Sequence, residues 1–292
     1  MRTETSFAAL LLLPSFCFGA DFWSPVNPEE LNLKTPVVQK DAAAEVLFWE
    51  TKLENSYNSG YGNTVLSHYL RIKIFTDKGR DAASERIPYA FGETIFDIAG
   101  RTVKADGAIH ELKSDAIFDK EIVRMSGLKV RANTFVLPDV AAGDVIEYRY
   151  KENWDGLMRY VRLPMQRTIP VQKATFRVKP LSREYTPYGM RVQIFHGAST
   201  PFTVGQDGFS STSFQNVAAY KEEPHMPPED EIRASMLIFY SEKSDLAPAK
   251  FWNEYGRKLY AESLATPLLP PKSSFGSTIS ARARSGIATP LR

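Results

Sequence analysis

In the stretch His68–Phe75 the apolar residues Leu70, Ile72 and Ile74 alternate with Arg71 and Lys73. Successive side chains of a strand point to opposite faces, so this spacing predicts a half-buried strand with its two cations turned away from the core. Ile146, Tyr148 and Tyr150 alternate in the same way with Glu147, Arg149 and Lys151. Shorter strands are predicted at 174–180, 191–196 and 236–240. Between them, Asp77-Lys78-Gly79, Asp106-Gly107, Gly143-Asp144 and Asp207-Gly208 read as turns. An Asp-Gly pair between alternating segments predicts a tight hairpin, because the turn needs positive φ values that these residues tolerate.

Other stretches carry weaker signals. The apolar run in Ala42–Leu53 fits a strand or a short helix, and periodicity does not separate the two. Pro-dense residues 224–231 read as an extended connector. One helix is predicted, with Asp245 as N-cap, Pro248 in the first turn, and Phe251, Trp252, Tyr255 and Leu259 as an apolar stripe. The expected fold is mainly β, an antiparallel β-sandwich of immunoglobulin-like type in two β-subdomains, with a short C-terminal helix and a disordered tail. The expected divisions are a signal peptide at 1–20, an irregular lead-in at 21–44, a first β-sandwich domain at 45–170, a second β-subdomain at 171–243, a helical run-in at 244–262 and a disordered or out-of-frame tail at 263–292.

Residues 1–20 change the picture from fold to compartment. Arg2 precedes an apolar run from Phe7 to Phe18, and Gly19 offers a cleavage point. This has the length of a secretory signal and is too short to span a bilayer as a helix. The expected location is exported, periplasmic or extracellular, with no transmembrane segment in the mature form. Cys17 is the single cysteine of the 292 residues, so cleavage would leave a chain without thiol or disulfide. The 36 basic and 34 acidic residues are scattered, with no basic stripe interleaved with aromatics, which argues against nucleic acid as a partner.

Motifs for strong chemistry are missing. There is no GxGxxG, no GxxxxGK[ST] and no GxSxG; Gly208-Phe209-Ser210 lacks the closing glycine. His110-Glu111 begins like a zinc-protease helix, but no second histidine follows at the required spacing. His68, His110, His196 and His225 are far apart, and they read as surface or strand-end residues. His225 beside Glu229, Asp230 and Glu231 is the one local concentration of imidazole and carboxylate, open to a metal-dependent or acid–base hydrolase reading or to a stiff polar connector. Tyr57, Tyr61, Tyr148, Tyr150, Trp154 and Tyr160 fit either a carbohydrate or peptide groove or, more simply, the core. No catalytic, cofactor-binding or metal-binding residue is assigned, and no cofactor.

The order of the segments YLRIKIFTDKGR (69–80), DIAGRTVKADGAIHEL and FVLPDVAAGDVIEYRY resembles the β-domain of unknown function that precedes the transglutaminase-like core in many exported bacterial proteins. KEEPHMPPEDEIRASMLIFY and FWNEYGRKLY resemble that family's run-in towards the core. The likeness covers about residues 45–262, and Leu-Pro-x-Val-x-x-Gly-Asp-x-Ile-Glu-Tyr is its most specific part. The resemblance implies a signal peptide, this β region and then a papain-like core with Cys, His and Asp in nucleophilic roles. No residue here matches those three roles, and the acid-free sequence after Glu262 suggests truncation or a frameshift. The expectation is a non-catalytic scaffold, or a module binding a substrate peptide or cell-wall polymer. The alternative is a stand-alone carbohydrate-binding module with a row of exposed rings.

Overall fold

The computed structural model describes residues 23–58, 61–90, 92–125, 128–158, 160–184, 186–241, 253, 255–257 and 259–261. Fourteen strands lie among them: β1 (Ala44–Asn58), β2 (Tyr61–Ile74), β3 (Ser84–Tyr89), β4 (Glu93–Val103), β5 (Ile109–Glu111), β6 (Phe118–Met125), β7 (Leu128–Val136), β8 (Val145–Asp155), β9 (Tyr160–Pro164), β10 (Val171–Lys179), β11 (Gly189–Phe195), β12 (Thr203–Val204), β13 (Ser210–Val217) and β14 (Ser235–Ser241). They form one eight-stranded sheet, β12-β13-β10-β1-β2-β8-β4-β5, and two three-stranded sheets, β11-β14-β9 and β3-β7-β6. The mainly β expectation holds, and residues 253, 255–257 and 259–261 are helical. Asp245, Pro248, Phe251 and Trp252 of the expected helix, and the signal and tail segments, lie outside the described residues. Among the described residues no helix is long and apolar enough to cross a membrane.

The alternating residues build the core as their spacing requires. Leu66, Leu70, Ile72 and Ile74 of β2, Ile146, Tyr148 and Trp154 of β8, and Ala174, Phe176 and Val178 of β10 share one buried cluster. Ile87 and Phe135 from the β3-β7-β6 sheet belong to it, as do Val161, Leu163, Met236 and Ile238 from the β11-β14-β9 sheet. Both small sheets therefore cover the same face of the large one, giving a layered, sandwich-like body. The hairpins at Asp106-Gly107 and Asp207-Gly208 form where expected, joining β4 to β5 and β12 to β13.

The structure adds three details to that expectation. β10 runs parallel to β1, pairing Val46 with Val171 and Leu53 with Val178, so the large sheet is not wholly antiparallel. A parallel neighbour needs a long connection, and here all of β2–β9 lies between the two strands. The boundary read at residue 170 consequently falls inside one sheet and one core, because β10 carries both across it. The Pro-dense connector also contains a short helix, α2 (Glu229–Ile232).

The largest addition concerns the other face of the big sheet. Arg71 and Lys73 do turn away from the main core, as the alternation predicts, yet they are only 5% and 1% exposed. The lead-in folds back over them and contains a helix, α1 (Pro28–Asn32). Val26, Leu31 and Leu33 of this strap pack on Leu47, Val103 and Val145, a second and smaller core. The Lys73 ammonium donates to the carbonyls of Leu31 (2.6 Å) and Gly143 (2.5 Å).

Gly79 is a glycine for lack of space. A Cβ there would sit 2.1 Å from the carbonyl oxygen of Ala43. That oxygen is itself pinned by the amides of Phe75 (2.9 Å) and Thr76 (3.2 Å). Gly79→Ala is therefore expected to lose about 1–3 kcal/mol, the range for forced overpacking. Denaturant unfolding measures it, and a change near zero would show that this corner gives way easily.

Candidate functional site

The segment Leu137–Tyr148, the most specific of the sequence, is a hub at which three polar residues, Asp144, Glu147 and Tyr148, take fixed positions. Leu137 is buried and its amide donates to Ala83 O (3.0 Å). The Pro138 carbonyl accepts from the Thr102 hydroxyl (2.6 Å). Gly143 adopts a φ of +95°, where an L side chain is strained, and so lets the chain turn into β8. The Asp144 carboxylate accepts from the Ala141 amide and the Lys104 ammonium, both at 2.8 Å, which locks that turn. Period two then sends Val145 and Glu147 under the strap and Ile146 and Tyr148 into the main core.

Glu147 is fully buried. Its Oε1 accepts from the Tyr69 hydroxyl and from Arg71 Nε (2.8 Å), and its Oε2 accepts from Arg101 Nε (2.7 Å). One carboxylate faces two guanidiniums, so a further anion is needed, and Glu30 of the strap supplies it at 2.7 Å from Arg71 Nη1. Arg71 Nη2 also donates to the Ser24 carbonyl (2.6 Å). The Trp23 ring closes the site over Arg101, 5.0 Å from its guanidinium carbon, and lies 5.9 Å from the Tyr69 ring. Burial alone would depress the Arg71 pKa, but Glu147, Tyr69 and Glu30 outweigh it and hold it above its ordinary value. Burial and then Glu147 push the Tyr69 phenol up. Each polar atom named at Glu147 is engaged within the protein.

Tyr148 carries the second polar group, on the opposite face. It is 1% exposed, and its hydroxyl donates to the Glu85 carboxylate while accepting from Arg167 Nη2 (2.9 Å). Arg167 lies over the Trp49 ring at 5.5 Å. These groups border a cleft of about 480 Å³ between the start of β3 and the loop before β10. Close by on β2, His68 stacks on Tyr150 at 4.6 Å, with its Nε2 3.1 Å from Glu152. That contact is not aligned as a hydrogen bond.

Tyr69, Tyr148 and Tyr150 all have raised phenol pKa values, each chiefly through burial. The folded protein keeps these protons above pH 10.0, where an unfolded chain releases them. Stability is therefore unaffected by these groups below that pH and falls above it, by up to about 1.4 kcal/mol per pH unit for each phenol. Lys73 works in the other direction, since burial lowers its pKa and rising pH relieves the cost of its charge. Three phenols outweigh one amine, so the urea midpoint is expected to drop steeply between pH 10 and 11. A flat profile would show that the phenols titrate in the folded state.

The structure does not gather the histidines. His110 sits on β5, exposed and 3.4 Å from Asp139, while His196 and His225 are exposed with φ of 54° and 66°. Glu229, the nearest acid to His225 that was singled out, pairs with Arg233. Among the described residues no group of three or more His, Cys, Asp and Glu could hold a metal ion. The six aromatics do not form a row either. Tyr148 and Trp154 are core, while Tyr57, Tyr61 and Tyr160 are exposed. Glu85 and Arg167 were missed from sequence; they lie 82 residues apart and no motif links them.

Comparison with known proteins follows the same lines. No curated protein sequence matches the chain. A solved structure from Parabacteroides distasonis ATCC 8503, named a "putative protease", superposes with a TM-score of 0.51 at 16% identity, over 67% of this chain and 40% of that one. The chain thus spans about two fifths of that neighbour's length, and at this identity the likeness shows the fold alone. Native yeast LTA4 hydrolase matches at a TM-score of 0.33 and 9% identity, over 70% of this chain and 30% of that one. Residues 61–220, which run from β2 past β13 and contain the whole hub, match the profile of a family described as a domain of unknown function, and the chain belongs to that family, DUF3857.

Proposed function

We propose that the chain acts as a non-catalytic β module of an exported, transglutaminase-like or protease-like protein, holding a scaffold or binding a peptide or wall polymer. The observation that carries this reading is where the hub spends its polar groups. Asp144 and Glu147, two of the three acids of its most specific stretch, are closed off in a turn lock and an ion cluster beneath the strap, while the third, Asp139, is exposed and pairs with Lys104 and His110. A general acid or base must reach substrate, and a carboxylate saturated by two guanidiniums is poorly placed to do so. The membership in a domain family of unknown function and the fold shared with a longer protein named for proteolysis agree with a supporting module.

The test is release of ammonia from a glutamine-containing peptide by the purified chain. No release above the buffer blank is expected. Release that disappears on a single point substitution would overturn the reading. The sugar-binding alternative now rests on a different place, a cleft of about 310 Å³ lined by Tyr57, Tyr188 and Tyr240. Tyr57→Ala is the control for a polysaccharide pull-down, because Trp154→Ala would disturb the core instead.

A further inference from the structure

The 480 Å³ cleft differs from the buried ion cluster in having unused hydrogen-bonding capacity at its floor. Glu85 receives its contacts at Oε2, from the Tyr148 hydroxyl and from Arg167 Nη2 at 3.4 Å. Its Oε1 has no protein partner among the described residues. Arg167 is engaged through Nη2, which leaves Nε and Nη1 in the same position. Both side chains are held in place before any ligand arrives. Tyr148 bridges them, its proton secured by burial, and Trp49 supports the guanidinium plane. A preorganised pair of this kind avoids the ordering cost that weakens most surface charge contacts.

The chemistry of the wall narrows the ligand. Lys78 and Lys221 stand on the rim with Asp41 and Asp81, so neither sign of charge dominates. A simple anion or a simple cation would meet as much repulsion as attraction. A molecule carrying both charges a few ångströms apart would match an arginine fork and a carboxylate that are themselves 3.4 Å apart.

We propose that Glu85 and Arg167 form a binding site for an α-amino-acid zwitterion, its carboxylate on the free edge of Arg167 and its ammonium on Glu85 Oε1. The volume lies in the ordinary range for small-molecule sites and leaves room for a side chain or a short peptide beyond the charged centre. The inference builds on the peptide-binding form of the proposed function and names the chemical group such a module would recognise.

The experiment is calorimetric titration of the whole purified chain with alanine, alanine amide, N-acetylalanine and N-acetylalanine amide. Alanine is expected to bind saturably, and each blocked form at least about tenfold more weakly, since every block removes one charge-assisted contact. Glu85→Gln keeps an acceptor for Tyr148, so this variant should fold with an unchanged melting midpoint and still lose about tenfold or more in alanine affinity. Lys221→Ala, on the rim, should change affinity little. Absence of saturable alanine binding would overturn the site, as would equal binding of the blocked forms or undiminished binding by folded Glu85→Gln. These outcomes are independent of the ammonia-release test, so the site and the non-catalytic reading stand or fall separately.

Discussion

Glu147→Ala is expected to cost about 3–5 kcal/mol, the range for removing one partner of a buried ion pair. The loss is large because of what stays behind. Arg71 and Arg101 would keep their charges in a nearly closed space, with only Glu30 left to balance them. Tyr69 would lose its acceptor as well. Urea unfolding followed by circular dichroism reads the change, and a shift below about 1 kcal/mol would mean that water enters and solvates the cations. A companion variant separates the value of the cluster from the penalty of breaking it. Replacing Glu147, Arg71 and Arg101 together by apolar residues of similar volume should be far milder than Glu147→Ala, because no uncompensated charge is left buried. If the triple variant is equally damaged, the cluster does more than hold charge.

Deleting residues 21–34 is expected to lose about 3–5 kcal/mol. Val26, Leu31 and Leu33 are partly buried, and roughly 1 kcal/mol each is a modest share of the value for full burial. The remainder is the net of the hydrogen bonds that Lys73 donates to Leu31 and Arg71 donates to Ser24 and Glu30, largely offset by the chain entropy regained and the water that replaces the strap. The deletion would also lay bare Leu47, Val103 and Val145 as an apolar patch on the large sheet. A shortened chain as stable as the parent, and as soluble, would show the strap to be a passive leader. Comparison of urea midpoints and of light scattering at equal concentration decides the matter.

Local signals were legible in the sequence and remote ones were not. Leu70, Ile72 and Ile74 declared a strand face by spacing alone, and Asp106-Gly107 declared its hairpin by the φ that glycine allows. Alternation reports which residues share a face; it does not report what covers that face. Spacing places Arg71 and Lys73 on the side away from the core but does not show that a Pro-rich segment some 40 residues earlier closes that side. The parallel pairing of β1 with β10 was hidden for the same reason, since nothing near Val46 points to Val171. The Leu-Pro-x-Val-x-x-Gly-Asp-x-Ile-Glu-Tyr stretch stood out as specific before its physical role was visible. Gly143 turns the chain, Asp144 locks the turn, Glu147 gathers two arginines and Tyr148 reaches the cleft. The cleft itself had no signature, because Glu85 and Arg167 meet only through the packing of a small sheet on the large one.

Arginine-selective NMR tests the closed hub at its centre. The Nε–H protons of Arg71 and Arg101, both donated to Glu147, should exchange with solvent orders of magnitude more slowly than those of a free arginine, and both should lose that protection in Glu147→Ala, which removes both acceptor oxygens. Fast exchange at either position in the parent protein would show an accessible carboxylate at Glu147, and the structural reading of the hub would be wrong.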